Sequence, residues 1–383
     1  MVGSHHLARG MARLGHQVVH LSPPVTPAHL LKLRDPFERE RFARWRRGGD
    51  AIDGFVDLVP AGLWPWALAA RSGGDAAARF GRGHAASVRQ LLARHAMLAP
   101  DLVFIDEPRL TQVLSVVDAR RAVYRPTDLY AELRGDSAVL DAERQLVARA
   151  QRFIATSEPV AEHLRRLGAG AVLVLENGVD LDRFSPDADG PCPPLPPGPR
   201  VVYTGALDER FGLDALLAAA RACPQAAFVL AGPPGAALRA AVVGLPNVHL
   251  LGALPYASMP ALLAQCQLAL LPLSAQPANA GRSPMKLYEY AASGLSVVAS
   301  HSPELARRAP GFVRLALTPA AFGLAVQELL ALPRGGLGAP LDAALRQGWD
   351  AKCLQALAWA ATDSADTPAH GAYPVAAPVG NTR

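Results

Sequence analysis

The sequence predicts an α/β chain built as two Rossmann-like, doubly wound domains facing a central cleft, and three observations lead there. At 383 residues, half of them hydrophobic, the chain exceeds what one ordinary core organises. Short apolar runs alternate along it with Ala/Leu/Arg-rich stretches of helical character. Near the middle the alternation is broken once, by "SPDADGPCPPLPPGPR" at 185–200, where prolines fix φ and remove amide donors, so that neither helix nor central strand can form.

In the first half the strand candidates are "HQVVHLSPP" (16–24), "FVDLVPA" (55–61), "LVFIDEP" (102–108), "AVYRPTD" (122–128), "RFIATSE" (152–158) and "AVLVLENGV" (171–179). In the second they are "RVVYTGAL" (200–207), "AFVLAGPPG" (227–235), "VHLLGALP" (248–255), "LALLPL" (268–273), "LSVVAS" (295–300) and "FVRLAL" (312–317). Nearly continuous apolar strands separated by helices imply parallel sheets covered on both faces. The expected organisation is a first domain at 1–187, a proline-rich linker at 188–199 and a second domain at 200–340. A helix at 341–363 is expected to cross back to the first domain, ahead of a disordered tail at 364–383. The chain opens in "GSHHLARGMARLGHQVV", which reads as a helix, whereas a doubly wound domain usually opens with a strand and a glycine-rich turn. The first strand of the N-terminal domain is therefore expected to be missing and the true start to lie upstream; a natural variant without that strand is the alternative.

Composition excludes several classes. A net charge of +5 with acids and bases interspersed is no footprint of a nucleic-acid binder. Cys192, Cys223, Cys266 and Cys353 form no CxxC pair, which argues against a zinc site or disulfide framework and fits a reducing compartment. No signal peptide or membrane-spanning run is visible, so a cytoplasmic protein is expected, with possible peripheral contact at the inner face of the cell membrane.

One of the chain's three lysines, Lys286, stands in "GRSPMKLYEYAASGLSVVAS" (281–300), three residues before Glu289 and just ahead of a buried strand. Together with "ENGVDLDRF" (176–184), "VVYTGALDERFGLDALL" (201–217), "FVLAGPP" (228–234) and "VHLLGALPYASMPALLAQCQLALLPL" (248–273), this stretch resembles the nucleotide-sugar-binding half of GT-B glycosyltransferases. The first half, with "GSHHLA" and "YRPTD", is similar in layout to the bacterial exopolysaccharide type that includes the xanthan glucuronosyltransferase. The resemblance implies a UDP- or GDP-sugar donor, a glycan or polyprenyl-diphosphate-linked acceptor, and no metal or other cofactor. It also implies that Glu289 takes the ribose hydroxyls and that main chain around Leu254 and Pro255 seats the base.

The residues support a diphosphate site on their own terms. Ser283 and Pro284 suit the cap and first position of a helix, which would leave the amides of Met285 and Lys286 to an anion, with Leu287 following in the same turn. Lys286 adds a point charge, and Glu289 faces the same side one turn on. Gly205, after a strand, permits close backbone approach to phosphates, and Arg210 or Gly212 completes that loop. The rival reading of Lys286 and Glu289 is an exposed pair on a surface helix.

The chain departs from retaining members of the family, which carry two glutamates eight apart: counting back from Glu289 lands on Gly281, and the arginine expected after Gly205 is Ala206. Both losses lean toward an inverting mechanism, which needs one general base. Asp128, in "YRPTD", is the candidate, with helix capping as its rival role. Asp106 and Glu107 come next, and His5, His6 and Glu107 are candidate acceptor contacts. The aromatic and arginine-rich stretch 32–48, with "GLWPWALAARS" (62–72), suits either an anionic membrane surface or a solvated basic helix. A nucleotide-sugar epimerase and a non-catalytic two-lobed sugar-binding protein are the rival classes.

Overall fold

The computed structural model describes residues 3–72 and 74–362; the tail expected at 364–383 lies outside them. The chain divides at 176/177 and again at 349/350 into two compact units. The first boundary falls ahead of the proline-rich segment, not within it. Residues 177–187, expected in the first domain, belong to the second: Val179 and Phe184, each 1% exposed, are buried in its core and carry their segment with them.

In the first unit, β1 (Val19–Leu21), β3 (Phe55–Leu58) and β2 (Asp50–Ile52) form one sheet in the order β1-β3-β2. β4 (Leu102–Ile105), β5 (Arg121–Tyr124), β6 (Arg152–Ala155) and β7 (Val172–Val174) form a second, wholly parallel one in sequence order. β2 has no counterpart among the strands expected from sequence. It pairs antiparallel with β3 across Asp53 and Gly54, both at positive φ (46° and 89°), the Asp-Gly hairpin turn that "IDGF" encodes. The helix Trp349–Ala361 belongs with this unit for nearly all its length: Cys353, Ala356, Trp359 and Ala360 pack with Leu7, Met11, Val123 and Ile154, and the Trp359 indole donates to the Phe153 carbonyl at 3.0 Å.

The second unit is one six-stranded parallel sheet, ordered β10 (Val248–Gly252), β9 (Ala227–Ala231), β8 (Arg200–Thr204), β11 (Leu268–Leu271), β12 (Ser296–Ser300) and β13 (Val313–Ala316). Alternate residues feed two cores: Val202, Val229, Ala269 and Val297 on one face, Val201, Phe228, Leu270 and Val298 on the other. Each fully buried Val, Leu or Phe side chain contributes roughly 1.5–3 kcal/mol. From β8 the chain builds outward to β10, then returns to lay β11 on the other flank of β8. That reversal is a topological switch point, and ligands of open α/β sheets bind at the carboxyl ends of the strands there. Among the described residues no helix is long and apolar enough to cross a membrane.

Candidate functional site

The switch point lies at the loops that follow β8 and β11. Gly205, the first residue after β8, has φ +131° and donates its N–H to the Ala231 carbonyl at 2.8 Å. A Cβ at this position would stand 2.3 Å from Lys286 Nζ, so the glycine makes the space that the ammonium occupies. Gly232, after β9, is closer still to its neighbour: a Cβ there would lie 1.8 Å from the Gly205 carbonyl oxygen. Because backbone meets backbone, a methyl cannot be absorbed by a rotamer change, and Gly232→Ala is expected to destabilise the protein by about 3 kcal/mol. Urea unfolding of the two proteins checks this; equal midpoints and slopes would refute it.

Lys286 begins the helix Lys286–Ala292 and sends Nζ back to the end of β8, where it donates to the Tyr203 hydroxyl at 3.1 Å and sits 4.3 Å from the centre of that ring. Burial, then the like charge of Arg282, brings its pKa down to about 7. Glu289 is 9% exposed, and its Oε1 accepts from the Tyr256 hydroxyl at 3.0 Å. Burial pushes this carboxyl above its ordinary range, against that hydrogen bond and the charge of Lys286. An exposed surface pair is thereby excluded.

Three expectations for this stretch are corrected. Ser283 does not cap the helix; it is buried, its Oγ accepting from the Asn177 N–H at 3.3 Å and its carbonyl from the Asn177 amide at 2.8 Å. The cap position falls to Met285, without a side-chain cap, and the first bonds of the turn run from Leu287 to Pro284 and from Tyr288 to Met285. A helix of seven residues so formed lends little dipole. The Leu287 side chain is fully buried in the core. Pro255 precedes the 3-10 turn Tyr256–Ser258 and so sets the position of Tyr256 against Glu289.

Arg210 lies in the loop after β8, its Nε 3.1 Å from Asp208 Oδ1, so its charge is already matched. Asn279, at the start of the candidate stretch 279–289, laces the two loops: its amide donates to the carbonyls of Arg210 and Ser274, both at 3.0 Å, while Ser274 Oγ donates to the Glu209 carbonyl at 2.7 Å. Tyr203 and Tyr256 were missed, because a tyrosine in an apolar stretch carries no signal until its hydroxyl acquires a partner.

In the first unit, the acids at the ends of β4 and β5 are sorted by their partners. Asp106 bonds the Arg125 guanidinium, although burial pushes its carboxyl up. Glu107 caps the 3-10 segment Pro108–Ser115 through the Arg109 N–H and pairs with Arg109 and Arg134 at 2.9 and 2.7 Å. Burial acts to raise its pKa, but these guanidinium groups hold it below its ordinary value. Asp128 stands in the loop between β5 and the helix Tyr130–Arg134, whose cap is Leu129. His6 is 2% exposed, a buried position. His5 instead joins His20 and Asp57: His5 Nε2 lies 3.3 Å from Asp57 Oδ2 and His20 Nδ1 2.8 Å from Oδ1. These three could offer ligand atoms to a metal within 4.8 Å of one another, but Arg44 already bonds the same carboxylate. Burial would raise Asp57, yet the hydrogen bonds of His20 and His5 keep it well below the usual range.

Comparison with known proteins gives a consistent result. A family model described as "Glycosyltransferase Family 4" matches residues 2–183, and one described as "Glycosyl transferases group 1" matches residues 198–331. A putative teichuronic acid biosynthesis glycosyltransferase of Bacillus subtilis (strain 168) is 24% identical over 196 residues, 49% of this chain and 49% of that protein, so the match spans about half of the curated relative. Among solved structures, sucrose-phosphate synthase of Thermosynechococcus elongatus superposes with a TM-score of 0.69 at 18% identity, covering 93% of this chain and 91% of its own. Anabaena HepE in complex with UDP and glucose gives 0.62 at 16%, covering 89% and 98%.

Proposed function

We infer that the chain is a group 1 glycosyltransferase of the GT-B fold, and on that premise that it moves a sugar from a UDP-linked donor to a glycan or polyprenyl-diphosphate-linked acceptor in cell-surface polysaccharide synthesis. The observation that carries the donor half is Lys286 Nζ, held at the end of β8 over Gly205 with the buried carboxylate of Glu289 one turn on. A cation at a switch point suits a diphosphate, and a buried acceptor pair suits two ribose hydroxyls. Main chain around Leu254 and Pro255 is assigned to the base. In the reaction the acceptor oxygen forms a bond to the anomeric carbon while that carbon's bond to the β-phosphate oxygen breaks. The electron pair leaves with UDP, whose charge Lys286 meets, and the acceptor proton passes to Asp128.

The acceptor reading draws on the B. subtilis relative's part in teichuronic acid biosynthesis and on the surface of the first unit. Leu31 and Phe37, 89% and 67% exposed, stand beside exposed Lys32, Arg34 and Arg39, a mixture of apolar and cationic groups suited to an anionic lipid surface. Trp66 contributes nothing to that surface: it is buried against Phe80 and donates to Asp136 at 2.6 Å. Flotation with anionic but not neutral vesicles is expected, and its absence would remove the membrane from the proposal. Calorimetric titration of UDP and GDP into the full chain tests the donor. Micromolar UDP binding with weaker GDP binding, and turnover that requires an acceptor, are the expected results; no binding of either by folded protein would overturn the reading.

A further inference from the structure

We infer that Arg282 is the second cation of the diphosphate subsite, replacing from the loop after β11 the positive charge that the loop after β8 lacks. The inference rests on the nucleotide-sugar reading and names a residue that carries it out. After β8 the chain runs Gly205, Ala206, Leu207, Asp208, Glu209, Arg210, and the one cation in it is tied to Asp208. A diphosphate linked to a sugar carries two negative charges, so Lys286 alone leaves one unmatched. Among the described residues Arg282 has no carboxylate partner; its side chain donates from NH1 to Asn279 Oδ1 at 3.3 Å, and its backbone N–H to the Asn279 carbonyl at 3.4 Å. The Asn279 amide is in turn bonded to the Arg210 carbonyl, so the lacing of the two loops also places Arg282.

Three separate groups register its position. Its charge is the strongest acting on Lys286, the strongest acting on the Tyr203 hydroxyl, and next after Arg210 on Asp208. Two cations held near each other in a partly buried site repel, and that cost is reduced when an anion enters between them. A guanidinium also matches a phosphate with two parallel N–H donors, which the lysine cannot do.

The test is UDP titration into full-length wild type, Arg282→Gln and Arg282→Lys between pH 6 and pH 9. Loss of the guanidinium is expected to weaken UDP about ten- to hundredfold, with Arg282→Lys, which keeps the charge but not the fork, recovering part of the loss. A second readout separates ligand binding from packing. The charged groups acting on Lys286 are Arg282, Glu289, Arg210 and Asp208. Removing the first of these, a like charge, lets Lys286 hold its proton to higher pH, so UDP affinity should begin to fall at a higher pH in Arg282→Gln than in wild type. Wild-type affinity and an unchanged pH profile in Arg282→Gln would overturn the inference. Failure of wild type to bind UDP or GDP would instead overturn the functional reading beneath it.

Discussion

Replacing Lys286 by alanine is expected to weaken UDP binding on the order of a hundredfold and to lower kcat/KM further. A charge-assisted hydrogen bond removed from a partly buried site costs about 1.5–3 kcal/mol, and the charge on the leaving diphosphate grows in the transition state. The variant leaves no steric conflict, because the ammonium it removes fills the space over Gly205. The pH dependence identifies the group. In the free protein burial and Arg282 hold Lys286 at about 7, whereas a bound diphosphate favours the ammonium and raises that value. The complex therefore binds more protons than the free protein above pH 7, and affinity must fall as pH rises. From pH 7 to pH 9 the loss is roughly fiftyfold, with about one proton taken up per UDP at the upper end. Calorimetry in buffers of different ionisation enthalpy measures that uptake. A flat profile in wild type, or one that persists in Lys286→Ala, would refute this role.

Asp128→Asn is expected to lower kcat by about 10²- to 10⁴-fold while leaving UDP affinity unchanged, the range for loss of a general base. Of the neighbouring acids, Glu107 is held by guanidinium groups that favour the charged form and lower its basicity, and Asp106 is already bonded to Arg125, although burial raises its carboxyl. The loop that carries Asp128 is anchored, since Thr127 bonds the Tyr130 hydroxyl at 2.7 Å and its carbonyl accepts from Thr156 at 2.9 Å. Wild-type turnover in Asp128→Asn would withdraw the base assignment and leave the donor site standing. A single displacement also requires the product anomer to be inverted, which proton NMR of the first-formed product reads directly.

The strands were legible because burial on both faces demands continuous apolar runs, as in "RVVYTGAL" and "LSVVAS", a pattern that survives without tertiary information. β2 escaped because three residues, one of them charged, carry no such run; only the Asp-Gly turn marked it. Lys286 and Glu289 were legible from their rarity and spacing, and Gly205 from its place after a strand. Ser283 misled because a cap residue and a buried serine bonded to Asn177 look the same in sequence, and Leu287 because neighbours on a helix point to different sides.

By itself the sequence determined the α/β class, the two-domain plan and the lysine placed just ahead of a buried strand in the second half, since these depend on local hydrophobic period and chain order; the strand order that makes a switch point came from the fold. Tertiary structure decided what each polar group does. The charge state of Lys286, the pairing of Arg210, the lacing by Asn279 and the position of Arg282 all arise from residues distant along the chain, and such partners exist only once the loops after β8 and β11 have been brought together.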